Sequence, residues 1–146
     1  MNIPSQIENL PVKEMGFSAF ERCKSLTEIS IPNSVIEIGV CTFADCVSLK
    51  NISLSESLKE INIGTFLGCT SLTNIKIPNS VTEIDLSAFE ECSSLKSIDI
   101  PDSVTYIGDY AFYRYRALTS ITMPSSNIKI SPDAFLNCNV SINLAK

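Results

Sequence analysis

Histidine is absent from this 146-residue chain, which removes much chemistry at once. Without imidazole there is no Ser-His-Asp or Cys-His nucleophile, no commonest general base and no imidazole metal ligand. Thiols and carboxylates remain. Six cysteines raise a redox or zinc reading, yet none forms Cys-x-x-Cys. Cys23, Cys46, Cys69, Cys92 and Cys138 instead share one apolar column with a step of 23 residues or a multiple of it. Free Cys behaves as a small, commonly buried hydrophobe, and a secreted disulfide framework would not set its thiols at one interval on an apolar face. The column therefore reads as a reduced core ladder. Cys41 stands off it, in the place of Ser18 and Ser87, and is the one thiol expected to meet solvent. The carboxylates recur at outward positions (Glu37, Glu60, Glu83) and read as solvated charge. No catalytic, cofactor-binding or metal-ligating residue is nominated, and the chain is expected not to be an enzyme.

The interval that orders the thiols orders everything else. Phenylalanine recurs at 20, 43, 66, 89, 112 and 135, isoleucine at 29, 52, 75, 98 and 121, and leucine at 26, 49, 72, 95 and 118. A fixed period of this size signals a stacked solenoid. In register, the unit is C-x-S-L-x-x-I-x-I-P-x-S-V-x-x-I-G-x-x-A-F-x-x. The Leu26–Ile31 stretch ends in a β-branched apolar/polar alternation, a short strand. Proline stops the ladder at Pro32, Pro78, Pro101 and Pro124 because it donates no backbone hydrogen bond. A second extended piece follows at Val35–Ile38, Val81–Ile84 and Val104–Ile107, and the Ala-Phe segment predicts a short helical turn. Gly16, Gly39, Asn62, Asp85 and Gly108 share a column of residues that tolerate positive φ, which predicts a left-handed corner there. One unit could not bury its roughly seven apolar side chains alone, but neighbours stacked about 4.8 Å apart can.

A 45% hydrophobic composition supplies one continuous core. No apolar run reaches the roughly 18 residues of a membrane span, so no membrane insertion is expected, and residues 1–11 carry no secretory-signal pattern. A net charge of −5 and a pI near 4.7 argue against nucleic acid, which needs a concentrated positive face.

The stretches "CKSLTEISIPNSVIEIG", "CTSLTNIKIPNSVTEI" and "CSSLKSIDIPDSVTYIGDYAF" resemble the BspA-type leucine-rich repeat, a unit of about this length found in surface proteins. The resemblance runs from about Val12 to Leu144. It implies a leucine-rich solenoid with a parallel sheet on one face, and adhesion or protein recognition as the commonest role. It therefore places the parent protein at the cell surface or outside the cell. Tyr115 departs from the pattern where Cys is expected, and Ser55 where Pro is expected.

The expected fold is thus a repeat solenoid, mainly β with short helical turns, a rod or arc of about six coils. It forms a single domain over residues 1–146, with irregular caps at 1–11 and 138–146. Two surfaces are candidates for a protein partner. The first is the sheet face, with Glu28, Lys50, Asn51, Asn74, Lys76, Lys96 and Asp99. The second lies in the fifth coil, which holds all four tyrosines; there Tyr110, Tyr113, Arg114 and Arg116 carry the Arg-with-Tyr composition of an interface. Locally altered packing around Tyr115 is the competing account of that coil. Self-association through the fifth coil or through the edge strand Val140–Leu144 is the further expectation. A spacer or stalk with no ligand of its own is the functional alternative.

Overall fold

A computed structural model of the chain describes residues 1–115, 117–124, 128–138 and 140–144. Each coil is a triangle whose three sides are set by where its backbone hydrogen bonds go. The first side holds the strands Glu28–Ser30, Asn51–Ser53, Ser97–Asp99, Ser120–Met123 and Ser141–Leu144. The second holds Glu14–Met15, Glu37–Ile38, Glu60–Ile61, Glu83–Ile84, Tyr106–Ile107 and Lys129–Ile130. Pairing is parallel on both sides, with Ile29 opposite Ile52 and Ile61 opposite Ile84. Parallel ladders therefore line two sides, where a sheet on one face was expected. The corner between them closes through Pro: Val35 N–H donates to the Pro32 carbonyl at 3.0 Å, and Val81 to Pro78 at 3.1 Å.

The third side is the Ala-Phe segment, and here two expectations are corrected. No helix occurs among the described residues. Alternate residues instead serve two partners. Ala19, Glu21 and Cys23 close local turns on Gly16, Ser18 and Phe20, while the N–H groups of Ser18, Phe20 and Arg22 reach the next coil at Val40, Thr42 and Ala44. That alternation needs left-handed residues, which forbid a helix. They sit at Ser18, Cys41, Ser87 and Tyr110, and again at Arg22, Asp45, Glu91, Arg114 and Asn137, with Gly64 and Gly68 in the same two columns. The Gly16–Gly39–Asn62–Asp85–Gly108 column is not among them. Its small residues answer a different constraint, close approach of backbones. A Cβ on Gly39 would lie 2.8 Å from the Gly16 carbonyl carbon, and one on Gly108 2.7 Å from the Leu86 nitrogen. Asn62 occupies the column by donating its side-chain amide to the Ile38 carbonyl at 3.0 Å.

The core is continuous from Met15 to Ala134. Its spine is the Phe column, whose rings stack from Phe20 through Phe135 with centroids 5.1 to 5.6 Å apart. Beside it runs the thiol ladder: Cys69 Sγ donates to the Phe43 carbonyl and Cys92 Sγ to that of Phe66, both at 3.2 Å. All six cysteines are free, and Cys46, Cys69 and Cys92 are buried. Cys23 and Cys138 are only half-buried, as is Cys41. An end coil has a neighbour on one side alone, so Cys41 is not the single thiol that solvent reaches.

The two ends differ in construction. At the N-terminus Gln6–Ile7 and Leu10–Pro11 form an antiparallel hairpin. Its turn residues Glu8 and Asn9 both have positive φ, the geometry that matches strand twist in a two-residue turn. Asn2 adds to the first strand side by a parallel bridge to Ser30. At the other end the pairing offset falls from 23 residues (Ser97 with Ser120) to 21 (Ser120 with Ser141). The last coil is therefore shorter by two residues, where a slip of one was expected.

Candidate functional site

The alternation of the first strand side leaves Ile29, Ile52, Ile75 and Ile98 buried and turns their neighbours outward. Glu28, Lys50, Asn51, Asn74, Lys76, Lys96 and Asp99 are all exposed. This sheet is interrupted in its middle. Asn74 meets Asn51 in a single bridge, and Ser97–Asp99 pairs onward to Ser120–Thr122 but not back to 74–76. The bonds from Ile31 N–H to Ser53 and from Ile100 N–H to Thr122 have no counterpart at Leu54 or Ile77. Shallow depressions follow the interruption. One of about 220 Å³ is lined by Asn51, Glu56, Asn74 and Lys76, and one of about 320 Å³ by Asn74, Lys76, Asn79 and Asp99. A third, about 290 Å³, lies between the N-terminal residues and Glu28. Lys76 is held over Glu56 at 2.8 Å. Lys50 and Lys96 line none of these depressions.

The four tyrosines of the fifth coil separate into three environments. Tyr106 belongs to the second strand side, with the Lys129 ammonium 5.7 Å from its ring centroid. Tyr110 and Tyr113 are half-buried on the turn side and meet edge to face, centroids 5.5 Å apart at 69°. Arg114 lies over Tyr113, 5.0 Å from the ring centroid, and its Nη1 donates to Glu91 Oε1 at 2.7 Å. Arg116 lies outside the described residues. Tyr110 has φ 55°, a left-handed conformation that costs a bulky residue on the order of 1–2 kcal/mol.

Tyr115 is fully buried, edge-on to Phe112 at 5.8 Å. It occupies the thiol column, so the ladder skips its bond to the Phe89 carbonyl. Its hydroxyl has no hydrogen-bond partner; the Cys92 thiol lies beside it without hydrogen-bonding geometry. Burial raises its pKa well above the usual phenol value. A buried unpaired hydroxyl is destabilising. Tyr115→Phe is therefore expected to leave stability unchanged or raise it by up to about 1 kcal/mol in urea unfolding. A loss of that size would show that the hydroxyl is bonded.

One surface escaped the reading of the sequence. Phe17, Val40, Ile63 and Leu86 share the 23-residue interval, and an apolar column beside the Phe spine reads as core. Phe17 is 74% exposed, Ile63 38% and Leu86 39%. The signal that separates them from core is their position next to the left-handed column, on the outer rim of the turn.

Three hydrogen-bonded sides, a stacked Phe spine and a period of 23 residues define a leucine-rich repeat solenoid. The chain belongs to the BspA-type leucine-rich repeat family: the model of the BspA type leucine rich repeat region matches in six copies over residues 13–141. Among solved structures it is similar to a leucine-rich repeat protein of T. pallidum, with 33% identity and TM-score 0.85 over 97% of this chain and 67% of that one. It is also similar to a leucine rich cell surface protein of Faecalibacterium prausnitzii, with 30% identity and TM-score 0.78 over 98% of this chain and 46% of that one. A leucine-rich repeat protein of Eubacterium ventriosum matches at 26% identity and TM-score 0.74, over 96% of this chain and 38% of that one. The chain thus spans about two thirds of the T. pallidum protein and less than half of the other two. No curated protein matches it. No helix among the described residues is long and apolar enough to cross a membrane.

Proposed function

We propose that the chain is a non-catalytic protein-recognition or adhesion module of a BspA-like surface protein. The observation that carries this reading is Tyr110. Its column holds Ser18, Cys41, Gly64 and Ser87 in the other coils, residues that take positive φ at less steric cost than an aromatic. The core does not require a ring there, yet a ring is kept and set against Tyr113 and the Arg114 guanidinium. Strain retained without a packing reason marks a functional position, and exposed Tyr with Arg is the composition of binding anchors. The F. prausnitzii relative is described as a cell surface protein, which supports a place at the cell surface or outside the cell. The stacked fold supplies surface and no reaction centre. Among the described residues no three His, Cys, Asp or Glu side chains cluster as metal ligands.

A spacer is the competing reading, favoured by the polar sheet face with its small depressions. Immobilised extracellular-matrix and serum proteins, assayed by interferometry, separate the two. Saturable binding to at least one of them, weakened about tenfold or more by Tyr113→Ala with Arg114→Ala, is the expected result. No saturable binding across the panel would leave the spacer.

A further inference from the structure

We infer that the turn side, rather than the sheet face, is the docking surface, and that its occupant is a protein segment carrying apolar side chains flanked by Lys or Arg. This rests on the recognition reading above and specifies where and with what chemistry it operates. Apolar exposure is concentrated here: Phe17, Val47, Ile63, Leu86 and Leu136 are all exposed on this side. The first strand side, by contrast, presents polar residues between its buried isoleucines. The apolar residues form a continuous row because the backbone stacks them. Ser18 N–H donates to Val40, Cys41 to Ile63 and Gly64 to Leu86, at 2.9 to 3.0 Å, so Phe17, Val40, Ile63 and Leu86 follow one another at the strand spacing, over about 14 Å. Contiguous exposed apolar surface on a folded domain marks an interaction site. Gly64 and Gly68 occupy the two left-handed columns in the third coil and keep the middle of the row free of projecting side chains.

Charge selects the partner. Toward the fifth coil the row runs into Asp109, which takes the place of Leu86 one coil on. Glu90, Asp109 and Asp133 have no ion pair among the described residues, whereas the arginines of this side are engaged: Arg22 with Glu21 and Asp45 at 3.6 Å, and Arg114 with Glu91 at 2.7 Å. An apolar row ending in unpaired carboxylates attracts a basic, apolar segment and repels an acidic one. Tyr110 and Tyr113 stand between the row and the acids, as aromatic anchors within the same surface.

The probe is a synthetic peptide of Leu and Lys, with a Leu and Glu peptide of the same pattern as control, added to isotope-labelled protein. Amides of residues 40–47, 63–68 and 86–91 are expected to shift with the Lys peptide, less at high salt, and not with the Glu peptide. Ile63→Lys with Leu86→Lys, both exposed and outside the core, should weaken that binding about tenfold or more. No binding of the Lys peptide, or shifts confined to Asn51, Asn74 and Lys76 on the sheet face, overturns the inference. Sedimentation tests the other occupant: self-association of the wild type that the same double variant abolishes would make a second copy the partner and overturn the choice made here. The matrix-protein panel keeps the two readings apart. Binding there that survives Ile63→Lys with Leu86→Lys but fails with the Tyr113 and Arg114 changes would overturn the turn-side row and leave recognition standing.

Discussion

Moved from pH 9 to pH 10.5 in reducing buffer, the folded chain should lose on the order of 6 kcal/mol of stability, enough to unfold many domains of this size. The cause is the thiol ladder. Burial pushes Cys46 from an ordinary value of 9.0 up to about 11 and Cys92 up to about 12, and raises Cys69 as well. The folded state therefore holds its thiol protons at a pH where the unfolded chain has released them. Stability from this source is fully present below pH 9 and is lost as pH rises toward those higher values. Each thiol contributes about 1.4 kcal/mol per pH unit in that window, and three act together. Urea titrations at pH 8, 9, 10 and 10.5 should show the midpoint falling steeply above pH 9. Replacing Cys46, Cys69 and Cys92 by Ala should lower the baseline but flatten the fall. An equally steep fall in that variant would locate the alkaline sensitivity elsewhere.

Phe66→Ala is expected to cost about 3–5 kcal/mol. The ring is fully buried and stacked on both faces, 5.6 Å from Phe43 and 5.2 Å from Phe89. Removing it opens a void in the spine at the centre of the rod, where neither neighbour can collapse inward, because each is held by its own backbone bonds to the next coil. Stability in such stacks is shared between nearest neighbours, so hydrogen exchange should quicken at Phe43 and Phe89 as well as locally. Phe20→Ala makes the comparison: its ring is half-buried with one stacked neighbour, and its cost should be smaller. Equal costs at the two positions would mean that the spine is not cooperative.

The repeat was legible because period and chemistry coincide. Ile, Leu, Phe and Cys return at one interval, and each column proved to hold one place in the triangle. The backbone was less legible. Gly39 and Gly108 suggested a left-handed corner, since glycine is used for positive φ more often than for close approach. The real left-handed residues are Ser18, Cys41, Arg22 and Asp45, whose identities carry no such mark. What places them there is the demand that alternate N–H groups reach the next coil, a tertiary requirement with no local signal. The helical expectation at Ala-Phe failed for the same reason. Among the candidate residues, outward placement of the sheet-face set followed from strand alternation. The interruption at Asn74 had no precursor in the sequence, because Ser97–Asp99 and Asn74–Lys76 read as equivalent strands. The exposed row at Phe17, Ile63 and Leu86 was hidden by its apolar character, since periodicity reports that a column is uniform but not which way it points.

The three ladders have an evolutionary corollary. Every backbone bond that joins two coils runs between equivalent positions one period apart, so an insertion of a few residues puts all three sides out of register together. An insertion or deletion of a whole coil disturbs none of them. Lineages can therefore change the length of such a rod only in discrete steps. Each step moves one surface feature relative to another, such as the Asn74 depression and the Tyr110 cluster, by a single strand spacing of about 4.8 Å. Recombination between coils thus works as a vernier on the separation of contact points, tuning reach without altering the architecture of any one of them.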